Sequence, residues 1–142
     1  MKSQHWIIAT LLIIVVAGSS GAEEVVREGA GWRHFLVNSP AASVAQGLKG
    51  ERFLIQLPSQ DVECLVNEEG TVVEARFNKA FKGATSKGIR IGSSEEDVEK
   101  AYGKPSSVET STKARKLIYN GIGMLFWITD NKVNQIVVPI IR

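Results

Sequence analysis

The residue types most often used for covalent catalysis are scarce in this chain. It contains one cysteine, Cys64, and two histidines, of which His34 lies beyond the N-terminal leader described below. A catalytic cysteine needs a base within hydrogen-bond reach and a third group that orients the base. His34 sits in an apolar segment, 32–37, with no recognisable orienting partner. We therefore expect no catalytic dyad.

Motifs for other chemistry are also missing from the sequence. It has no His-Glu-x-x-His, P-loop, Gly-x-Ser-x-Gly or dinucleotide-binding pattern. A structural zinc site needs cysteine and histidine ligands that this chain lacks. We expect a protein that is not an enzyme and that holds no metal and no cofactor.

Acidic residues cluster at 95–97. Such a cluster could bind a cation, but Ser93 and Glu96 have the spacing of a Ser-x-x-Glu capping box, and carboxylates are favoured near a helix N-terminus. We interpret the cluster as the capped start of a helix. The pair Glu68-Glu69 lies in a polar turn, and we interpret it as solvated.

Large apolar side chains follow one another from Met124 to Ile128, and alternate residues of a strand point to opposite faces. Either this strand is buried on both faces, or one set is exposed. Exposed aromatic side chains on a rigid sheet are of the types that dominate protein–protein interfaces. Our hypothesis is a partner-binding face that includes Tyr119, Phe126, Trp127 and Trp32. The alternative is that these side chains form the core.

The N-terminus has the layout of a secretory signal peptide. Lys2 precedes an apolar run at 7–17 that only Thr10 interrupts, and Ser20 and Ala22 stand at cleavage-site spacing before Glu23. The run is well short of the roughly 20 residues that a membrane span needs. We expect cleavage after Ala22, export to the periplasm or out of the cell, and no stable membrane span afterwards. The alternative is an uncleaved anchor.

Basic and acidic residues are nearly balanced, with 17 Lys and Arg against 15 Asp and Glu. Such balance creates no general field that attracts nucleic acid or an anionic membrane surface. A local basic cluster at Lys113, Arg115 and Lys116 has no interleaved aromatic residues, and we interpret it as solvated. We expect no nucleic-acid partner.

Strand-like segments, rich in β-branched residues and often alternating apolar with polar side chains, occupy much of the chain. They are 32–37, 52–57, 62–66, 71–77, 89–91, 115–119, 122–128 and 133–140. Turn residues at 67–70, 120–121 and 130–131 predict antiparallel hairpins. Two helices are predicted: one at 40–48 after Ser39-Pro40, and one after Ser93 whose inward stripe is Val98, Ala101 and Tyr102.

The two helical segments lie in similar surroundings, which suggests an internal repeat. Segment 35–50 can be placed over 89–104 so that strand residues, N-cap and helix stripe coincide. The following hairpins can be aligned with Val62 over Gly123, which places Cys64 over the apolar Leu125. We therefore predict a packed Cys64 thiol in preference to a reactive one or an interchain disulfide.

The predicted architecture is an α+β, two-layer domain made of two tandem helix-plus-antiparallel-strand repeats, with the helices on one sheet face. Two units are needed because a lone helix on a small sheet buries too little apolar surface. The predicted segments are a signal peptide at 1–22, an edge segment at 23–34, repeats at 35–78 and 89–142, and a connector at 79–88.

The second repeat resembles the superfamily of the secreted β-lactamase inhibitor protein and the small outer-membrane-assembly lipoproteins of the SmpA/OmlA type. The matching residues, which cover about half of the mature chain, are 88–105, Tyr119, Gly121, Gly123, Phe126, Asp130, Lys132, Val133 and Ile136. The resemblance implies helix-plus-sheet repeats, a concave sheet that grips another protein, and no catalysis. The chain lacks both the lipoprotein cysteine and the inhibitor's disulfides, so neither function transfers directly.

The sequence thus predicts an exported, non-enzymatic module that binds another envelope or extracellular protein. The alternative is a protein that binds a small ligand or an envelope component such as peptidoglycan or lipid.

Overall fold

A computed structural model describes residues 25–26, 28, 31–32, 35–36, 53–57, 59–69 and 71–139. The predicted signal peptide at 1–22, the predicted helix at 40–48 and His34 lie outside these residues. Within the described chain, no helix is long and apolar enough to cross a bilayer.

Eleven strands and one helix are found in the described residues. The strands are β1 (Val25–Val26), β2 (Gly31–Trp32), β3 (Phe35–Leu36), β4 (Phe53–Leu57), β5 (Val62–Val66), β6 (Val72–Phe77), β7 (Ala84–Thr85), β8 (Ser107–Thr110), β9 (Arg115–Tyr119), β10 (Met124–Thr129) and β11 (Lys132–Pro139), and the helix is α1 (Glu95–Tyr102). Seven strands form one antiparallel sheet in the order β4-β5-β6-β11-β10-β9-β8. The short strands β1 and β7 pair in parallel, and β2 pairs with β3.

The predicted α+β architecture of two helix-plus-sheet repeats is wrong. The described chain is built on a seven-stranded antiparallel sheet and contains a single helix of eight residues. The strand period of two residues recurs through β4, β5, β9 and β10 and, with one interruption each, through β6 and β11, whereas a 3.6-residue pattern with caps at both ends occurs once in the described part. The sheet is continuous because β6 and β11 pair at its centre.

Hairpin turns follow from local sequence. In the β5–β6 turn, Asn67 Oδ1 accepts hydrogen bonds from the backbone N–H groups of Glu69 and Thr71, at 3.0 and 2.9 Å. In the β10–β11 turn, Asp130 and Asn131 have φ of 51° and 64°. Asn and Asp tolerate this left-handed conformation, and two-residue hairpins with it match the twist of the strands. Both of these predicted hairpins are confirmed, as is the third, which joins β9 to β10 through the turn after Tyr119.

The β5–β6 and β10–β11 hairpins each carry one extra residue in their second strand. The register shifts after Leu65 in the first hairpin and after Trp127 in the second. The unpaired residues are Val73 and Asn134. A bulge of this kind reverses the direction of the following side chains relative to a simple alternation.

The burial pattern contradicts the alignment of these hairpins on which the predicted repeat depended. Burial alternates from Val62 in β5 and from Met124 in β10, so placing Val62 over Gly123 puts buried positions over partly exposed ones. Cys64 is buried, whereas Leu125, its predicted counterpart, is partly exposed. A shift of one residue moves each side chain to the opposite face of a sheet.

Helix α1 begins one residue later than predicted. The N-cap is Ser94, whose side chain accepts from Asp97 N–H at 3.0 Å, while Asp97 accepts in return from Ser94 N–H. The predicted cap, Ser93, instead accepts from the N–H of Arg90 at 2.9 Å and belongs to the preceding turn. The helix ends at Gly103, which has φ of 79°.

Some connecting segments differ from their prediction. The predicted strand at 89–91 is reduced to a single bridge between Arg90 and Ala84. The predicted connector at 79–88 contains β7, and the segment after α1, where no strand is predicted, contains the edge strand β8. These strands have two and four residues, which is too short for an alternation of apolar and polar side chains to predict them.

The core lies between α1 and one face of the sheet. Val98 of α1 and Val26 of β1 are 0% exposed and join this core, with Ala101 and Tyr102 packed against it. The large, fully buried side chains are Phe77, Phe126, Leu117, Met124, Ile136, Val26, Val62, Val66, Val72, Val98 and Val133. The predicted helix stripe of Val98, Ala101 and Tyr102 is confirmed.

Candidate binding face

One face of the sheet is turned away from α1, and we call it the open face. Side chains that alternate with the buried positions of each strand project to this side. Along β10, Leu125 and Trp127 are partly exposed, whereas Met124, Phe126 and Ile128 are buried. Of the two alternatives left by the sequence, this strand has one apolar set in the core and the other partly exposed.

A row of polar side chains crosses the open face with Trp127 at its centre. Trp127 pairs in register with Gln135 of β11 and with Lys116 of β9. Gln135 Nε2 donates to Asn78 Oδ1 at 2.7 Å, and Lys116 Nζ lies 5.2 Å from the centre of the Trp127 ring. Lys116 also forms an ion pair with Glu109 of β8. This set, which we call the Trp127 row, links the end of β6 to the sheet edge.

An apolar row lies beside the Trp127 row. Val137, Leu125 and Ile118 are register partners on β11, β10 and β9. Val137 is buried among its neighbours, and the other two are partly exposed. At the β6 end the row meets Arg76, the register partner of Val137, whose Nε donates to Glu74. An aromatic and aliphatic centre bordered by charged and amide groups is typical of protein interfaces.

The four residues predicted for the binding face are not brought together. Trp127 lies on the open face. The side chain of Trp32 lies outside the described residues, and its backbone is in β2. Tyr119 and Phe126 are 5% and 0% exposed and pack with Tyr102, whose ring centre lies 5.9 and 5.7 Å from theirs. Their assignment to a binding surface is wrong, because they lie at strand positions whose side chains point into the core.

Tyr119 has a structural role at the end of α1. Its hydroxyl donates to the carbonyl of Gly103 at 2.9 Å. Burial, reinforced by the charges of Glu99 and Glu95, raises the pKa of Tyr119 to about 12. The phenol is therefore a neutral donor at physiological pH and satisfies a helix-end carbonyl.

Sequence reasoning missed most of the Trp127 row. The sequence predicts a solvated Lys116, yet its side chain is 21% exposed because it lies against Trp127 and Glu109. Gln135 was missed because the bulge at Asn134 changes the phase of β11 between Val133 and the residues that follow. Alternation indicates the faces only where no bulge intervenes.

A second polar cluster lies at the C-terminal end of α1. The Glu28 carboxylate accepts from Tyr102 Oη at 2.6 Å and from Ser86 Oγ at 2.5 Å. Lys87 Nζ lies 5.3 Å from the Tyr102 ring centre and donates to the carbonyl of Ala101 at 3.1 Å. Burial opposes ionisation of Glu28, but the hydrogen bonds from Ser86 and Tyr102 outweigh it, and the pKa of Glu28 is lowered. These bonds fasten the segment after β1 to α1.

Cys64 is 0% exposed in the core, so the predicted packed thiol is confirmed. Burial, reinforced by the charge of Glu63, raises the pKa of the Cys64 thiol to about 12. A thiol that stays protonated at neutral pH is a poor nucleophile and a poor metal ligand. Among the residues that the structure describes, no three His, Cys, Asp or Glu side chains form a metal-binding group.

No protein-family model and no curated protein matches the chain. Among solved structures, the chain resembles a DUF4309 family protein (YjgB) from Bacillus subtilis subsp. subtilis str. 168, with a TM-score of 0.50. The sequence identity is 13%, and the match covers 78% of this chain and 87% of that protein. At this identity the likeness concerns the fold alone.

Proposed function

We propose that this protein is an exported, non-enzymatic module that binds another protein through the open face around Trp127. The observation that carries the proposal is the partly exposed indole of Trp127 at the centre of a five-residue polar row, directly beside the apolar row of Val137, Leu125 and Ile118. Tryptophan is enriched among the residues that dominate binding energy, especially where polar neighbours exclude water around it.

Neighbouring side chains hold the Trp127 ring in place before any partner arrives. The Lys116 ammonium lies 5.2 Å from the ring centre, and an ion pair to Glu109 in turn positions Lys116. A cation over an indole at an exposed site contributes about 0.5–1 kcal/mol. A ring fixed in this way loses little conformational entropy on binding.

The dimensions of the face favour a protein partner over a small ligand. The Trp127 row runs from the end of β6 to β8, across β11, β10 and β9. At about 4.8 Å between strands it spans roughly 19 Å. A footprint of this width suits a protein surface, whereas small-molecule sites are concave and enclose most of their ligand. Binding of a small envelope component remains the second candidate.

The partner that we propose is another envelope or extracellular protein. The support comes from the sequence, in which a charged residue, an apolar run and a small-residue cleavage site stand in signal-peptide order at 1–22. The resemblance to the β-lactamase inhibitor and SmpA/OmlA superfamily is in keeping with this proposal, since some of its members grip another protein with a concave sheet.

The test is a pull-down from the native envelope fraction with three forms of the protein. We expect the wild type to retain one protein in stoichiometric amount, Trp127→Ala to lose it, and Leu54→Ala to keep it. Leu54 is a matched control because it is a partly exposed apolar residue on β4, at the opposite edge of the sheet. Circular dichroism and urea unfolding check that both variants are folded.

Two results would overturn the proposal. In one, Trp127→Ala unfolds the domain, which would make Trp127 a core residue. In the other, the variant retains the same protein as the wild type. Recovery of small molecules alone, with melting shifts that depend on them, would support the second candidate instead.

A further inference from the structure

Strand β8 forms one edge of the sheet and is exposed along its whole length. All four of its residues are exposed, and Val108, at 41%, is the large apolar side chain with the greatest exposure in the described chain. The strand contains no proline, and its register with β9 runs without a bulge. Proteins usually protect a free edge strand with a proline, a bulge or an unpaired charge, because an unprotected edge pairs readily with another strand. The one charged residue of β8, Glu109, is already paired with Lys116.

The register shows which backbone groups of β8 are free to pair. At the end of the β8–β9 hairpin, Ser111 N–H donates to the carbonyl of Ala114 at 2.8 Å. Hydrogen-bonded and non-hydrogen-bonded pairs alternate along an antiparallel ladder. Glu109 and Ser107 therefore direct their N–H and C=O groups toward β9. Those of Val108 and Thr110 point away from the sheet.

The ends of this edge are positively charged. Lys104 precedes β8 and Lys113 follows it, and both side chains are exposed. Neither forms a salt bridge within the part of the chain that the structure describes. An extended segment lying along β8 would run between two unpaired ammonium groups, which favours carboxylates in that segment.

We propose that β8 binds an extended acidic peptide segment as an eighth strand of the sheet. The outward N–H and C=O groups of Val108 and Thr110 form the main-chain hydrogen bonds, and Val108 contacts an apolar side chain of the segment. Lys104 and Lys113 attract its carboxylates. This is strand addition, a known mode of peptide recognition in which the backbone supplies affinity and the side chains supply specificity. The site is separate from the Trp127 face and does not depend on the function proposed for it.

The test uses two blocked octapeptides, one alternating glutamate with valine and one alternating lysine with valine. Each is titrated into the isotope-labelled protein and followed by amide NMR. We expect the acidic peptide to bind at least ten-fold more tightly, and this preference to shrink with added salt. The amides of Val108 and Thr110 should gain protection from hydrogen exchange in the complex.

Substitutions at the edge separate backbone pairing from charge. Val108→Pro removes an outward N–H without removing a bond to β9, and should weaken binding at least ten-fold. Val108→Thr keeps the N–H and is the matched control. Lys104→Gln with Lys113→Gln should remove most of the preference for the acidic peptide. If Val108→Pro does not fold, the paired lysine substitutions and the exchange protection decide the matter.

Three outcomes would overturn the inference. The lysine peptide binds as tightly as the acidic one, or neither binds. The perturbed signals include the Trp127 indole and exclude β8, which would place the peptide on the open face. The amides of Val108 and Thr110 are already protected without peptide, which would show that a second copy of the chain occupies the edge.

Discussion

Cys64 and Trp127 have opposite roles because they point to opposite sides of one sheet. Cys64 faces the core from β5, where burial keeps its thiol protonated. Trp127 faces the open side of β10, where its ring is partly exposed and lies beside Lys116. Residue type alone does not separate the two, because free cysteine and tryptophan are both often buried. The direction of each side chain from its strand decides which one is exposed.

Replacing Cys64 with alanine should make the stability of the protein less sensitive to alkaline pH. The pKa of the thiol is raised from 9.0 to about 12, so the unfolded chain releases this proton at lower pH than the folded chain. A raised pKa contributes stability that is complete below the unfolded pKa and declines above it, here by up to about 1.4 kcal/mol per pH unit. Urea unfolding of both proteins between neutral pH and about pH 10 measures the difference, and ionisation of the tyrosines contributes equally to both proteins.

The comparison concerns slopes against pH, so the packing lost with the thiol cancels. Equal slopes for the wild type and Cys64→Ala would show that the thiol ionises freely in the folded chain.

Helix α1 shows how tertiary contacts shift a boundary that local sequence defines well. Both Ser93 and Ser94 could cap the helix by type. The carbonyl of Asn131 accepts from Glu95 N–H at 3.2 Å. Ser93 N–H donates to the carbonyl of Arg90, and the carbonyl of Ser93 accepts from Val133 N–H. The β10–β11 turn therefore holds Ser93 outside the helix. Since that turn is distant in sequence, a capping motif alone misplaces the start by one residue.

Replacing Ser94 with alanine should destabilise the protein by about 1 kcal/mol, the usual cost of losing an N-cap. Its hydroxyl satisfies the N–H of Asp97, which has no partner within the helix. Glu96→Gln is the control, because the ion pair of Glu96 with Lys100 is exposed and contributes little. Thermal and urea unfolding measure both. A larger loss for Glu96→Gln would contradict the assignment of the cap.

Strands could be predicted where alternation and turn chemistry agree, and not elsewhere. The sequence predicts the β5–β6 hairpin because β-branched runs flank the polar turn at 67–70, which the Asn67 side chain organises. Strand β8 was missed because its residues are all exposed and carry no apolar stripe. Strands β1 and β7 are two residues each and pair across the chain, so nothing local indicates them.

The whole molecule is organised by the central pairing of β6 with β11, where Phe77 lies opposite Ile136. We call this β6–β11 pairing the seam. The sequence predicts the hairpins on both sides of the seam, but it does not predict the order of the strands in the sheet. The Trp127 row was unpredictable for the same reason, since Asn78 and Gln135 meet across the seam. The sequence proposes Trp127 as a binding residue, and the structure shows that its side chain is partly exposed.

Hydrogen exchange should follow this arrangement across the sheet. We expect the slowest amides in β6, β10 and β11, which are paired on both sides and contribute Ile136 and Phe126 to the core. Among amides that lie away from the strand ends, those of Val108 and Thr110 in β8 should exchange fastest, because they point away from the sheet. Native-state exchange followed by NMR measures this, and a β8 as protected as β11 would show that the edge is not free in solution.

The seam also has a consequence for how the chain reaches its fold. Hairpins such as β5–β6 and β9–β10 join neighbouring segments and can form early, whereas the β6–β11 ladder requires closure of the long loop between Phe77 and Ile136. Until that closure, β6 and β11 are themselves unpaired edges rich in β-branched residues. We expect aggregation during refolding to begin at these two strands, which the finished sheet protects most completely.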